Sequence, residues 1–223
     1  MTSMSLTPEI AARLAELDTT AVTDADKSVR VLSPRTALRS ANGAMLGTAF
    51  TVRCEGDHFG IVRALEQAAA GDVLVIEGGR HPLAYAGEIF AKAAMAKGLA
   101  GIVLDGGYRD LAYVKDCPLP IYSTYVYPKT GTTRLLGEIG ATVTVGGVAV
   151  SPGEILLADD NGVLVLEPDT LDGIIARAEQ IHAAEAKVLA KIEAGAGIGE
   201  VINSAEHAAR LTAGEETALR FTV

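Results

Sequence analysis

Two apolar runs joined by one helix-length segment constrain this chain more than anything else in it. "DVLVIEGG" (72–79) and "AGIVLDGG" (100–107) read as buried strands, and "YAGEIFAKAAMAKG" (85–98) between them reads as a helix stopped by Gly98. Ile89, Phe90, Ala93 and Ala94 share one side of that helix and are its expected buried face. A strand–helix–strand unit of about 35 residues is the usual parallel crossover. Its consequence is spatial. The loops after Ile76 and Leu104 leave the sheet at one carboxyl edge, where open α/β sheets place ligands.

The flanking segments extend this core. "LGTAFTVRC" (46–54) reads as a strand and "HFGIVRALEQAAAG" (58–71) as a helix closed by Gly71. At the start, Thr7 can cap, Pro8 suits a first turn, and Ile10, Leu14 and Leu17 recur at helical spacing. A polar, Pro-containing stretch spans 27–42. From 119 to 166 short strands alternate with Pro and Gly turns ("LPIYSTY", "ATVTVGGVAV", "GEILLADDNGVLVLE"), which predicts a β-rich second layer. A long helix follows from about 169 to 194, then "GAGIG" and a tail. The expected architecture is α/β: a parallel βαβ core, a mixed second β layer and helical arms at both ends. It forms one domain over 1–223, with an N-terminal arm over about 1–28, a core over 43–168 and a C-terminal helix and tail over 169–223.

Composition narrows the function. Hydrophobic residues make up 49% of the chain and aromatics only 4%, so the core must be built from Ala, Val, Leu and Ile. The net charge of −9 shows no basic stripe, which argues against a nucleic-acid partner. The same charge repels anions, so an anionic substrate needs a local cation: Arg, Lys or a metal. Cys54 and Cys117 form no CxxC spacing and are expected as free thiols in a reducing compartment. The opening segment lacks a signal-peptide pattern and no apolar run approaches about 18 residues, so the expectation is a cytoplasmic protein with no membrane span. His58, His81, His182 and His207 have no zinc-ligand spacing, and no P-loop, GxGxxG or GxSxG stands in a fitting context.

The chemistry-bearing candidates lie at the carboxyl edge. "DGGYRD" (105–110) ends the second strand with Arg109, a planar fork suited to a carboxylate, beside Asp110, a hard oxygen ligand of the kind Mg²⁺ or Mn²⁺ accepts. From those letters alone, a solvated Arg next to a helix-capping or first-turn Asp is the favoured reading. Gly106 and Gly107 are read as the backbone freedom that turns both side chains to the edge. Glu88 opens the crossover helix, where the helix dipole favours an acid in any case. Gly87 before it leaves amides unshielded for an anion or an enolate oxygen. A second carboxylate beside a hydrated metal can orient its waters. Glu185 falls on the apolar stripe Leu171, Ile174, Ile175, Ala178, Ile181, Val188, Leu189, Ile192 of the terminal helix. Either that helix end frays and exposes it, or the stripe meets another subunit and Glu185 finds a cation there. "EGGRHP" adds Arg80 and His81 to the same edge as solvated or supporting groups. "GDH" (56–58) reads as a turn and helix cap, and "ADDNG" (158–162) as a hairpin turn.

Taken together, "GTAFTV…GDH", "GDVLVIEGG", "GEIFAKAAMAKGLAGIVLDGGYRD", "VGGVAVSPGEILLADDNGVLVL" and the "AEAK" helix resemble the RraA-like family over roughly residues 20–195. That family holds class II pyruvate aldolases acting on 4-hydroxy-4-methyl-2-oxoglutarate and 4-carboxy-4-hydroxy-2-oxoadipate, and the regulator of ribonuclease E activity. The resemblance implies an α/β/β sandwich assembled as a homotrimer or hexamer, with the site at the subunit interface. It implies one divalent metal, Mg or Mn, held by Asp110, with water and substrate as its other ligands. Arg109 would bind and polarise the pyruvate portion, Glu88 would hold metal-bound water, and amides from Gly87 through Glu88 to Ile89 would meet the pyruvate carboxylate. Glu185 aligns with an acid lent by the neighbouring subunit. Relatives often carry Asp where this chain has Glu88, and "GGRHPLAYAG" and "VYPKTGTT" (126–133) depart from the aldolases; those two segments would read the non-pyruvate half of the substrate.

The implied activity is metal-dependent C–C cleavage of a 2-oxo acid through a pyruvate enolate, with oxaloacetate decarboxylation through the same enolate. Two other outcomes stay open: a non-catalytic regulator binding ribonuclease E, and a dehydratase or lyase on a sugar acid.

Overall fold

The computed structural model describes residues 6–222. Two short helices open the chain, α1 (Pro8–Ala15) and α2 (Thr19–Ala25). Each has a side-chain cap: Thr7 Oγ1 accepts the Ile10 amide at 3.3 Å, and the Asp18 carboxylate accepts the Ala21 amide at 2.7 Å. The polar stretch that follows holds two short strands, β1 (Arg30–Val31) and β2 (Ala37–Leu38). Next come β3 (Met45–Arg53), α3 (Phe59–Gln67), β4 (Asp72–Glu77), β5 (Ala84–Ala86), α4 (Glu88–Lys97), β6 (Gly101–Tyr108), α5 (Leu111–Val114) and β7 (Ile121–Val126). Helix α3 ends before Gly71, which instead forms the turn into β4 at φ +87°. The expected crossover is present. β3, β4, β6 and β7 run parallel, and Val73↔Gly101 through Glu77↔Asp105 set the β4–β6 register.

The second half adds β8 (Glu138–Ile139), β9 (Val143–Val145), β10 (Val148–Val150), β11 (Ile155–Asp159) and β12 (Gly162–Leu166). Among the described residues the main sheet runs β1-β12-β11-β3-β4-β6-β7-β2, with β5 beside β6 and β8 beside β3. Strand β7, expected in a second layer, therefore continues the parallel sheet. Its crossover is the single turn α5, too short to show as helical periodicity. The second β layer arises by curling. Leu156, Ala158, Val163 and Val165 of the β11–β12 hairpin share one core with Val73, Val75 and Val103, and the β9–β10 hairpin adds Val143, Val145 and Val150. The alternate residues Ile155, Leu157, Leu164 and Leu166 face outward onto α1, α2 and α6 (Leu171–Glu193). The Asp159 carboxylate, in the hairpin turn, accepts from the Thr19 amide and hydroxyl, both at 2.8 Å, which ties the N-terminal helices down.

The face opposite the curl carries α3 and α4. Leu74, Ile76, Ile102 and Leu104 pack there with Ile61, Leu65, Ala91 and Ala94. The expected face of α4 holds in part: Ala94 is buried and Phe90 and Ala93 are half-buried against the core, but Ile89 is 74% exposed and Ala91 is buried instead. Methyl side chains let this helix lie close on the sheet, and the larger residues fall to its margin. Beyond α6, the tail forms α7 (Ile198–Val201) and α8 (Ser204–Thr212). It folds back where the Asn203 amide donates to Arg220 O at 3.1 Å and Asn203 Oδ1 accepts the Arg220 amide at 2.8 Å. No described helix is long and apolar enough to cross a membrane.

Candidate active site

The ends of β5 and β6 bring four of the sequence-marked residues together. Asp110 follows β6 in the left-handed region (φ 60°, ψ 41°), the one such non-glycine residue among those described. This conformation is disfavoured for side chains with a Cβ, Asn and Asp tolerating it best, and it swings the carboxylate toward α4. Its Oδ2 accepts the Glu88 amide at 3.1 Å and lies 3.6 Å from Arg109 Nε. Asp110 thus caps α4 rather than the turn α5 that it precedes. Oδ1 takes no hydrogen bond among the described residues, and the side chain is 40% exposed. Gly87 makes the approach possible: a Cβ there would stand 2.3 Å from Asp110 Oδ2 and 2.9 Å from Arg109 Cγ. With the Glu88 amide taken, Ile89 and Phe90 keep the unpaired amides of a helix start.

Gly106 and Gly107 do a different job from the one expected. Both are buried within β6 without positive φ. A Cβ on Gly106 would meet the Tyr85 ring at 2.9 Å, and one on Gly107 would meet Leu83 O at 2.6 Å. They admit close neighbours, and the conformational freedom is exercised at Asp110 instead. Tyr108 has a buried hydroxyl that donates to Gly87 O at 3.0 Å; burial holds its phenol well above the ordinary pKa, so it remains a donor.

Glu88 stands at the first turn of α4 as expected, half-exposed, and its carboxylate pairs with Lys92 one turn on. Lys92 Nζ also sits 4.7 Å from the Tyr113 ring centroid. The Glu-to-Lys spacing of four was visible in the sequence as a helical pair and signals this partner. Glu185 is not joined to the others within one chain. It is half-buried in α6, which packs on α2 and on β11–β12, and it makes no ion pair among the described residues. The helix runs on to Glu193, so fraying does not explain its exposure. Leu189 and Ile192 beyond it are 59% and 38% exposed, leaving that end of the stripe uncovered in the single chain.

The two departing segments frame the same edge and hold each other. The Ala84 amide donates to Lys129 O at 2.7 Å, Ala84 bridges Thr130, and Tyr125 Oη donates to His81 O at 3.0 Å. Arg80 and His81 are exposed there. Asp57, read as a turn residue, is buried and holds the second segment: its carboxylate accepts from Thr132 Oγ1 at 2.6 Å, and from the Phe59, Arg134 and Leu135 amides at 2.8, 2.5 and 3.2 Å. Burial opposes its charge, but these hydrogen bonds outweigh it and keep the carboxyl below its ordinary range. Its partners are remote in sequence, so only the short Asp57-to-Phe59 link was legible.

A divalent ion can be tested against these residues. Among those described, no group of three or more His, Cys, Asp and Glu converges, so the chain offers no all-protein cage. It offers one exposed carboxylate with a free oxygen, at Asp110, and a second acid at Glu88. That set suits an ion such as Mg²⁺, which keeps most of its water and takes one or two carboxylates plus substrate oxygens.

An α/β/β sandwich with a carboxylate, an arginine and an open helix start at the carboxyl edge of its parallel strands defines the class. The sequence profile of the RraA-like family, described as Aldolase/RraA, matches residues 19–165, and the chain belongs to that family. It is 32% identical over 162 residues, 71% of this chain and 78% of the other, to an uncharacterized protein of Methanocaldococcus jannaschii. It is 38% identical over 141 residues to a Burkholderia multivorans protein named "Putative 4-hydroxy-4-methyl-2-oxoglutarate aldolase", covering 62% of this chain and 85% of that one. Among solved structures, the RNA-processing inhibitor RraA from Thermus thermophilis superposes with a TM-score of 0.62 at 31% identity, over 67% of this chain and 92% of that one. An uncharacterized Pseudomonas syringae protein shares the fold with a TM-score of 0.78 at 24% identity, over 87% of this chain and 96% of that one.

Proposed function

We propose that this chain is a divalent-metal-dependent lyase that cleaves a C–C bond of a 2-oxo acid, by retro-aldol cleavage of a 4-hydroxy-2-oxo diacid, and that it also decarboxylates oxaloacetate. The observation that carries the reading is the Asp110 carboxylate, whose Oδ2 caps α4 and lies beside Arg109 while Oδ1 takes no hydrogen bond among the described residues. Aldolase-named relatives support the reaction class.

Mg²⁺ or Mn²⁺ held by Asp110 would supply Lewis acidity at the oxygens of the 2-oxo acid. The protein's groups do the rest. Arg109 pairs its planar fork with the pyruvate portion and offsets charge that develops on the keto oxygen. The helix start after Gly87 and Glu88 presents to the carboxylate the N–H groups that Asp110 leaves unpaired, beginning with that of Ile89. Glu88, together with Glu185 from a second copy of the chain, serves the proton of the C4 hydroxyl. As that proton leaves, the C3–C4 bond breaks, C4 becomes a carbonyl in one product, and the electron pair forms the pyruvate enolate. Protonation at C3 gives pyruvate. Decarboxylation of oxaloacetate breaks its C3–C4 bond to the same enolate and needs no C4 hydroxyl.

A homotrimer or hexamer is part of this reading, supported by the half-buried Glu185 and by Leu189 and Ile192, uncovered at the end of α6. The two buried free cysteines suit a reducing cytoplasm. The test is pyruvate release from 4-hydroxy-4-methyl-2-oxoglutarate, with Mg²⁺ or Mn²⁺ and after EDTA treatment. Turnover that EDTA abolishes and metal restores is expected, and turnover indifferent to EDTA would contradict it. The likeness to the Thermus RraA favours a second reading, a surface-acting inhibitor of RNA processing. That reading gives the Gly87–Asp110 arrangement no task.

A further inference from the structure

Tyr108 is a fully buried side chain at this edge that the proposed chemistry leaves idle. It is 0% exposed and packs in the α3–α4 core, where its neighbours are apolar and a phenylalanine ring would serve as well. A hydroxyl taken from water into such surroundings is costly unless it is bonded. Here it donates to Gly87 O at 3.0 Å. The same carbonyl accepts the Ala91 amide at 3.1 Å, so one atom is both the first helical acceptor of α4 and an anchor to β6.

Three hydrogen bonds tie 86–88 to 108–110: Arg109 N to Ala86 O at 3.1 Å, Tyr108 Oη to Gly87 O, and Glu88 N to Asp110 Oδ2 at 3.1 Å. The first is backbone pairing that any residues would make. The third uses an exposed carboxylate, the same group that is proposed to hold the ion through its other oxygen. The Tyr108 bond alone comes from a buried side chain and stands whatever the site holds.

We infer that Tyr108 is a positioning residue, which fixes the direction of the Gly87–Ile89 turn so that the free amides of α4 and the Arg109 guanidinium converge on one carboxylate of the ligand. The inference rests on the pyruvate-binding reading of this edge. Tyr108→Phe removes the bond and keeps the ring. Tyr122→Phe is the control, because Tyr122 is equally buried and its hydroxyl bonds Gly43 O and Asp159 O, both at 2.7 Å, away from the site.

Each full-length protein is titrated with Mn²⁺ followed by electron paramagnetic resonance, then with pyruvate at saturating Mn²⁺ by calorimetry, and melted to verify folding. Y108F is expected to hold Mn²⁺ within about twofold of wild type and pyruvate about tenfold more weakly, the scale of one lost hydrogen bond. Y122F is expected to melt lower yet keep pyruvate affinity within about twofold. Unchanged pyruvate affinity in Y108F, or an equal loss in Y122F, overturns the positioning role alone. A wild-type protein that binds no pyruvate overturns the reading of the site and this inference with it.

Discussion

Asp110 caps a helix that is not its own: its Oδ2 accepts the Glu88 amide at 3.1 Å, across the gap between β6 and α4. One carboxylate thereby caps the helix start, and its second oxygen takes no hydrogen bond among the described residues. With the Arg109 amide on Ala86 O and the Tyr108 hydroxyl on Gly87 O, this contact sets Gly87 and Glu88 against Arg109 and Asp110.

Gly87→Ala tests how tightly that contact is built. The backbone at Gly87 is extended (φ −167°), so alanine meets no conformational strain there. The obstacle is the Cβ, placed 2.3 Å from Asp110 Oδ2. The carboxylate must move aside, and pyruvate formation is expected to fall about 100-fold. Steady-state rates alongside a thermal melt would check this; near wild-type rates would mean that the carboxylate has room to spare.

How much of this was legible depends on the distance over which each feature is written. The apolar runs at 72–77 and 101–104 announced the crossover, and with it the edge where Gly87, Glu88, Arg109 and Asp110 meet. On α4 the departure is one residue, because hydrophobicity favours Ile89, which is exposed, whereas close packing buries Ala91 beside the expected Ala94. Strand β7 joined the parallel sheet through a single turn that leaves no periodic trace. The left-handed backbone at Asp110 could not be read from "GGYRD", where the glycines drew the expectation of freedom to themselves. The hold of Asp57 on residues 132–135 joins segments far apart in sequence and was hidden for that reason.

Glu88→Gln keeps the side-chain length and the backbone amide that Asp110 accepts, while removing the charge. An acid that orients water or moves a proton beside a metal contributes about 10–100-fold. Turnover is expected to drop by that factor, and the melting temperature to stay unchanged because the Lys92 pair is exposed. A normal pH–rate profile with full turnover would remove Glu88 from the chemistry.

Asp57 predicts a pH signature of stability. Its carboxyl is held below the ordinary value in the folded chain, so its stabilisation is fully present above the unfolded pKa of about 3.9 and is lost as pH falls through the folded value. Asp57→Ala leaves the Arg134 and Leu135 amides without an acceptor and is expected to cost roughly 2–4 kcal/mol near neutral pH. Denaturant melts of both proteins from pH 7 to pH 3 should show that difference constant down to about pH 4 and shrinking below it. A difference that grows on acidification would carry the wrong sign.

The central claim, that Asp110 holds the ion on which C–C cleavage depends, is tested most directly by the rate of pyruvate release from oxaloacetate by wild type and Asp110→Asn at saturating Mg²⁺. The asparagine amide oxygen can still accept the Glu88 amide, so the fold is expected to survive. Wild type should exceed the metal-only background and lose that excess with EDTA, and the variant should run at least about 100-fold slower than wild type. A variant that matches wild type at the same metal concentration would contradict the account.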